Sequence, residues 1–279
     1  MNASLNILKT TIKIGLDSPI KILHVTDTHI AKDDPTGWGR EKLFDTAYDG
    51  SNEDYIFAIK KYAQDNKMLI LHTGDFIDFF SEGNFKFIDD FFADVDYVYA
   101  AGNHDFCHFL GKAKEDYEYK WEQIDKIAPY IKSNLYFDSK IVGGVNIVTI
   151  DNSYYLFTEG QLELLKAEVA KGYPIIIGVH VPLFNDEQAN SIVGAGNPCA
   201  YLCGAPDHLL ATYPEDRRIQ QTPDTDTLNM IDYIKSQPLI KAVIAGHTHK
   251  NFEENLTDKL PQYTTHGSFR GYAREITII

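Results

Sequence analysis

The sequence predicts an α/β protein built on partly parallel sheets, and three observations predict it. Apolar runs of strand length alternate with segments of helical period, the arrangement that parallel strands joined by helical crossovers require. The last predicted elements are strands. The 279 residues, 44% hydrophobic and 24% charged, have an ordinary globular composition and are enough to bury a real core.

Taken in order, residues 20–26 read as a strand and 54–66 as a helix with Ile56, Ile59 and Ala63 on one side. Residues 68–72 read as a strand, 85–92 as a helix, 95–100 as a strand and 114–131 as a longer helix. Residues 134–138 and 145–150 read as paired strands around Gly143-Gly144. The helix over 159–170 has Thr158 and Gln161 at capping-box spacing and Gly172 where a C-terminal stop belongs. Then come a strand (175–179), a helix (226–234) and a strand (240–245), with 262–265 and 273–278 as closing strands. There is no internal repeat and no low-complexity tract.

Two stretches carry no such pattern. Residues 31–52 are polar, with Gly37, Gly39 and Gly50 beside Trp38 and Arg40; residues 183–225 are dense in proline and glycine between Gly194 and Pro214. Loops this long are usually functional or disordered. Alternation resumes beyond each, so neither reads as a linker. The expectation is one domain, 1–279, with 183–225 as a long active-site loop or cap.

Net charge is -14. An acidic surface repels polyanions and argues against nucleic acid as a partner. It does not exclude a small phosphorylated substrate, because metal ions make one pocket locally positive. The three cysteines, Cys107, Cys199 and Cys203, are too few and too scattered for a disulfide framework. Residues 1–18 lack the apolar run and cleavage site of a signal peptide, and no run approaches the roughly 20 residues of a membrane span. A cytoplasmic location without membrane contact is expected.

The chemistry lies just after the strands. Asp27-Thr28-His29 follow the first, Gly74-Asp75-Phe76-Ile77-Asp78 the second and Gly102-Asn103-His104-Asp105 the third; His180-Val181-Pro182 follow 175–179, and Gly246-His247-Thr248-His249 follow 240–245. Ligands of α/β sheets bind beyond the carboxyl ends of the strands, where neighbouring tips converge, so the five tips are expected to share one site. Carboxylate, imidazole and amide oxygen together suit Zn, Mn or Fe, and the lack of thiolate argues against a structural zinc. Asp27 and His29 are two apart, as are His247 and His249, and extended backbone would turn both members of each pair the same way. Asp75 has two oxygens with which to bridge ions.

Each of these has a bland counterpart. Alone, an Asp-x-His is more often a solvated turn. His24 and His72, inside strands, read as buried hydrogen-bonded groups, His108 and His208 as loop residues, and His266 as a strand-end residue outside the pocket. The spacing of Cys199 and Cys203 is a weak zinc pattern. Asp78 either supports a ligating histidine or starts a helix. Arg40, Arg270 and Arg274 are candidates for substrate phosphate, with solvation as the competing fate. Trp38 and Tyr201 are candidates for stacking.

The ordered set Asp-x-His, Gly-Asp-x-x-Asp, Gly-Asn-His-Asp, His-x-Pro and Gly-His-x-His, running from Asp27 to His249, resembles the calcineurin-like metallophosphoesterase family. The resemblance implies a four-layer sandwich of two mixed β-sheets flanked by helices. It implies two divalent or trivalent ions (Mn, Fe or Zn). Asp27, His29, Asp75 and His249 would hold one; Asp75, Asn103, His180 and His247 would hold the other. It implies His104 as the acid beside the leaving group, with Asp105 as its orienting partner. The reaction implied is hydrolysis of a small phosphomonoester or phosphodiester by a hydroxide bridging the two metals, with no covalent phospho-enzyme. The motifs do not separate phosphatase from phosphodiesterase. Protein phosphatases of this kind usually have Asp-Arg-Gly and Asn-His-Glu where this chain has Asp78-Phe79 and His104-Asp105, which disfavours a protein substrate. The rival reading is a non-catalytic metal-binding scaffold for protein contacts; retention of all seven ligands and His104 weighs against it.

Overall fold

The structure, a computed structural model, describes residues 4–34, 37, 39–45, 51–107 and 117–279. Trp38, His108 and the first residues (114–116) of the longer predicted helix lie outside the described residues. Eleven strands and nine α-helices follow in chain order among the described residues. They are β1 (Asn6–Ile12), β2 (Ile20–Val25), α1 (Arg40–Asp45), α2 (Asn52–Asp65), β3 (Leu69–His72), α3 (Glu82–Phe92), β4 (Tyr97–Tyr99) and α4 (Tyr117–Ile127). Then come β5 (Phe137–Val142), β6 (Val145–Ile150), α5 (Glu159–Ala170), β7 (Ile175–Gly178), α6 (Asp186–Gly194), α7 (Asp207–Leu210), α8 (Glu215–Gln221) and α9 (Thr225–Ser236). The chain closes with β8 (Ile240–Ala245), β9 (Phe252–Thr257), β10 (Leu260–Thr264) and β11 (Tyr272–Ile278).

Local chemistry accounts for the helix starts. Ser51 accepts from the Asp54 amide and Asp54 returns the bond to the Ser51 amide, a capping box that opens α2. Thr158 and Gln161 do the same for α5. Gly172, just past α5, has φ +80°, a left-handed conformation that glycine adopts without cost.

The strands form two mixed sheets, ordered β1-β11-β2-β3-β4 and β5-β6-β7-β8-β10-β9. β2, β3 and β4 run parallel in the first, and β6, β7, β8 and β10 run parallel in the second. The central strands are apolar on both faces because both faces are covered. Ile22, Leu69, Leu71 and Ile276 of the first sheet pack on Val145, Ile147, Ile176 and Ile244 of the second. The outer face of the first sheet, including Leu23 and Ile70, takes Ile56 and Ile59 of α2 and Phe87 and Phe91 of α3. The outer face of the second, including Val148 and Ile177, takes Leu165 of α5 and Met230 and Ile234 of α9. This is the expected sandwich of helix, sheet, sheet and helix.

The differences from expectation fall at edges and in the two unpatterned stretches. β1 lies at the border of the first sheet, parallel to β11 at the opposite end of the chain. β9, the polar Phe252–Thr257, borders the second sheet. Residues 183–225 are not an irregular loop: they hold α6, α7 and α8 around a small core of Ala189, Ile192, Leu202, Leu210 and Tyr213. Among the described residues no helix is long and apolar enough to cross a membrane.

Candidate metal centre

The tips of β2, β3 and β4 lie along one edge of the first sheet, and those of β7 and β8 along the matching edge of the second. Backbone bonds lock neighbours together: the Asp27 amide donates to the Gly74 carbonyl at 2.9 Å, and the Gly246 amide donates to the His180 carbonyl at 3.0 Å. The two sheets meet where the His247 amide donates to Asp27 Oδ2 at 2.9 Å. Gly246 is needed for that approach, since a Cβ there would collide with Thr26 Oγ1 and Asp27 Oδ2.

The side chains converge on one small volume. His249 Nε2 is 3.2 Å from Asp27 Oδ1 and 3.1 Å from His29 Nε2. His29 Nε2 is in turn 3.7 Å from Asp75 Oδ2. On the other side of Asp75, His180 Nε2 lies 3.3 Å from the same Oδ2, 3.1 Å from Asn103 Oδ1 and 3.1 Å from His247 Nδ1. Three sets of donor atoms each fall within 4.8 Å of one another: Asp27, His29 and His249; Asp75, His180 and His247; and His29, Asp75 and His104. Asp75 thus stands between two donor groups.

Backbone strain accompanies this convergence. Asp27 (φ +49°), His29 (+45°), Asp75 (+54°), His247 (+67°) and His249 (+50°) all adopt the left-handed region. For residues with a side chain each such position costs on the order of 1–3 kcal/mol, and such strain gathers at functional sites. The geometry also corrects the expected route: the Asp-x-His and His-x-His pairs share a direction through left-handed turns, not through extended backbone.

The donor set fits cations. Asp27 Oδ1 is buried without a well-formed hydrogen bond and faces the imidazole nitrogens of His249 and His29 at 3.2 and 3.8 Å, a buried carboxylate oxygen placed among ligand-type donors. Burial alone would raise the carboxyls of Asp27 and Asp75. The imidazoles around them, His249 first for Asp27 and His180 first for Asp75, hold both well below the usual carboxylate range. Burial and the neighbouring His180 push His247 down to about 3. The hydroxyl of Tyr155 sits 2.9 Å from His247 Nε2, and the main-chain carbonyl of Thr73 lies 2.6 Å from His180 Nδ1. These contacts leave His247 Nδ1 and His180 Nε2 to face the donor cluster.

His104 borders the cluster, and its expected partner is replaced. Asp105 does not touch it. The Asp105 carboxylate accepts from the amides of Asp75 (3.0 Å), Phe76 (2.9 Å) and Gly102 (2.8 Å) and from the Tyr99 hydroxyl (2.6 Å). It clamps the β3 and β4 tips together, because its backbone direction points it into the loop and away from the cleft. The carboxylate at His104 Nδ1 is Asp78, with Oδ1 at 3.0 Å. The same Oδ1 is 3.0 Å from His29 Nδ1, and Arg40 grips Asp78 with Nε at 2.7 Å and Nη2 at 2.9 Å. Burial alone would lower His104, but Asp75 and Asp78 carry it up to about 10.

The remaining candidates are placed as follows. His24 is buried between Thr265 Oγ1 and Thr73 Oγ1, each at 2.8 Å. His72 accepts from the Gly74 amide and stacks on Tyr99. His208 lies on α7, and His266 stacks on Tyr272. Cys107, Cys199 and Cys203 are buried and outside the donor sets. Arg274 is neither a phosphate holder nor solvated: it is wholly buried, bound to Thr10, Thr265 and Glu253. Tyr155 and Phe44, which stacks flat on His29 at 4.9 Å, had no sequence signal.

A model of the calcineurin-like phosphoesterase family matches residues 20–251 of the chain. No curated protein matches it in sequence. Among solved structures, a dimetal phosphatase of Danio rerio superposes with a TM-score of 0.51 at 15% identity, covering 90% of this chain and 88% of that one. A phosphopantetheinyl hydrolase of Mycobacterium tuberculosis gives 0.40 at 11% identity, covering 94% and 91%. A 5'-nucleotidase of Candida albicans gives 0.43 at 12% identity, covering 95% of this chain and 47% of that one, so this chain spans about half its length. At these identities the likeness is one of fold, and of the three only the first superposition bears on it. The match over residues 20–251, on a sandwich whose strand tips meet at a single cluster of aspartates and histidines, makes this chain a member of the calcineurin-like phosphoesterase family.

Proposed function

We propose that the chain is a metal-dependent hydrolase of small phosphoesters, a single catalytic domain (1–279) with residues 183–225 as a cap over its site. The observation that carries this reading is the pair of donor groups on either side of Asp75, with the buried Asp27 Oδ1 facing His249 in one of them. Asp27, His29, Asp75 and His249 would hold one cation; Asp75, Asn103, His180 and His247 would hold the second. Two such cations (Mn, Fe or Zn) would supply a water-derived nucleophile near neutral pH and neutralise the phosphoryl oxygens.

The chain's own residues do the rest. His104, held at Nδ1 by Asp78, keeps Nε2 for the cleft, where it protonates the departing oxygen. Arg40 fixes Asp78, and Phe44 fixes the plane of His29. Asp105 is a positioning residue that sets the spacing of Asp75 and Asn103. Three buried cysteines, too scattered for a disulfide framework, support a reducing, cytoplasmic setting.

The test is to load purified protein with Mn, count bound metal by elemental analysis and measure hydrolysis of p-nitrophenyl phosphate and bis-p-nitrophenyl phosphate. Turnover of at least one ester with two equivalents of metal is expected. Bound metal without turnover, with Mn, Fe and Zn alike across the pH range, would overturn the hydrolase reading in favour of a scaffold.

A further inference from the structure

The cleft beside the donor cluster has a volume of about 310 Å³. This is at the small end of ligand sites. His104 and His247 line it beside the donor cluster, Tyr201 and Arg217 line it from the cap, and Lys250 from the loop after β8. Its charge is opposite to that of the molecule. The chain has 40 Asp and Glu against 26 Lys and Arg. Among the described residues, however, the cleft wall holds Arg217, Lys250 and the raised His104 and no carboxylate, the nearest acid to Arg217 being the exposed Asp216, whose Oδ2 lies 3.7 Å from Nε.

The cap cation is built into the site. The Arg217 guanidinium lies 5.8 Å from the centre of the Tyr201 ring, and its Nη1 donates to Gln220 Oε1 at 3.0 Å. Tyr201, itself left-handed at φ +55°, stands edge-on to His247 with ring centres 6.2 Å apart. Arg217 is therefore two ring contacts from the donor cluster. A guanidinium so placed is suited to gripping a planar oxyanion. Cations bound to the aspartates and histidines would take the reacting phosphoryl group, so Arg217 and Lys250 face what leaves.

Resting on the phosphoester reading, we infer that the substrate's leaving group carries a second oxyanion, a carboxylate or a further phosphate, which Arg217 and Lys250 hold. The volume limits the body between the two anions to about one ring.

The experiment compares kcat/KM of the Mn-loaded protein on phenyl phosphate, 4-carboxyphenyl phosphate and hydroquinone bisphosphate, whose reacting bonds are alike. A preference of about tenfold for one or both doubly anionic esters is expected, and the better of the two identifies the oxyanion. Arg217→Gln should reduce that preference to about threefold or less. Arg218→Gln, which removes the same charge from the exposed neighbouring position, should keep it. Dissociation constants of benzylphosphonate and 4-carboxybenzylphosphonate provide a second measurement that needs no turnover. Phenyl phosphate cleaved as well as both anionic esters would overturn the inference and leave the hydrolase reading standing. If none of these monoesters is cleaved, the phosphonate ratio decides the anion site by itself: tighter binding of 4-carboxybenzylphosphonate that Arg217→Gln abolishes upholds the inference, and equal binding of the two phosphonates overturns it. A preference that survives Arg217→Gln would also overturn the inference.

Discussion

Replacing Asp78 by Asn keeps the shape of the side chain and removes its charge and one acceptor. Asp78 Oδ1 receives His29 Nδ1, His104 Nδ1 and Arg40 Nη2 at 3.0, 3.0 and 2.9 Å, and Oδ2 receives Arg40 Nε at 2.7 Å. An amide oxygen placed at Oδ1 keeps the histidines but turns the amide hydrogens against Arg40 Nε. The reverse placement keeps that bond and turns the hydrogens against both imidazoles. Either way at least one charge-assisted bond is lost, worth about 1.5–3 kcal/mol. The Arg40 side chain is 23% exposed, so water compensates part of the loss. About 2 kcal/mol is the expected cost, or a fall in Tm of roughly 4–8 °C. Turnover should suffer far more than stability. His104 keeps the main-chain carbonyl of residue 78 at 3.1 Å from Nδ1 but loses the carboxylate charge that holds its proton, and general-acid contributions are about 100 to 10,000-fold. Through His29, metal affinity should fall by about 10 to 100-fold. The assay is kcat at saturating Mn, with Tm and a metal titration on the same preparations. A kcat within threefold of wild type once metal is saturating would refute the claim that Asp78 prepares His104.

Four other outcomes follow from the same contacts. Arg40→Gln should lower kcat by about tenfold with the metal count retained, because Asp78 keeps its histidines but loses the guanidinium that fixes it; steady-state kinetics and elemental analysis check this. Chelation should destabilise the protein, because ions bind only the folded cage; at a thousand times the dissociation constant, removing them costs about 4 kcal/mol, read as a lower Tm in EDTA. Asp105→Asn should loosen the β3 and β4 tips, so its loss of turnover should be recovered in large part by raised metal concentration, whereas that of His104→Ala should not; metal titration of activity separates the two. Glu254 is buried with Oε2 unpartnered, and burial pushes its carboxyl up to about 7. A folded pKa above the unfolded one favours the folded state at low pH, and this contribution is lost as pH rises through about 7. Glu254→Gln should therefore raise Tm at pH 8 and change it little at pH 5, and equal shifts at both would refute the assignment.

Much of the fold was legible because its signals are local. Thr158 and Gln161 cap α5 within four residues of each other, and β2, β3, β7 and β8 are apolar enough to read as strands covered on both faces. The candidate tips were legible for a related reason: each places a donor-type side chain directly after a strand, and five such placements in order are informative where one alone is not. β1 was not legible, since its partner β11 lies some 260 positions away, and nothing in Asn6–Ile12 announces an edge strand. Residues 183–225 hid α6, α7 and α8, because Ala189, Leu202, Leu210 and Tyr213 pack on one another rather than along a single helical stripe.

Sequence alone determined which side chains stand at the strand tips, because residue type and strand periodicity are properties of the chain itself. It could not decide which carboxylate faces His104. Asp105 is adjacent and Asp78 is 26 positions away, yet the turn after β4 aims Asp105 at the amides of the β3 and β4 tips and the Tyr99 hydroxyl and leaves Asp78 at the imidazole. Nor could it show that Arg274 is buried beside Glu253, or that Arg217 stands over Tyr201 at the cleft. Those outcomes depend on the direction each side chain takes once two sheets, separated along the chain, have closed on one another. That direction is set by packing and by hydrogen bonds between distant segments, which no local pattern encodes.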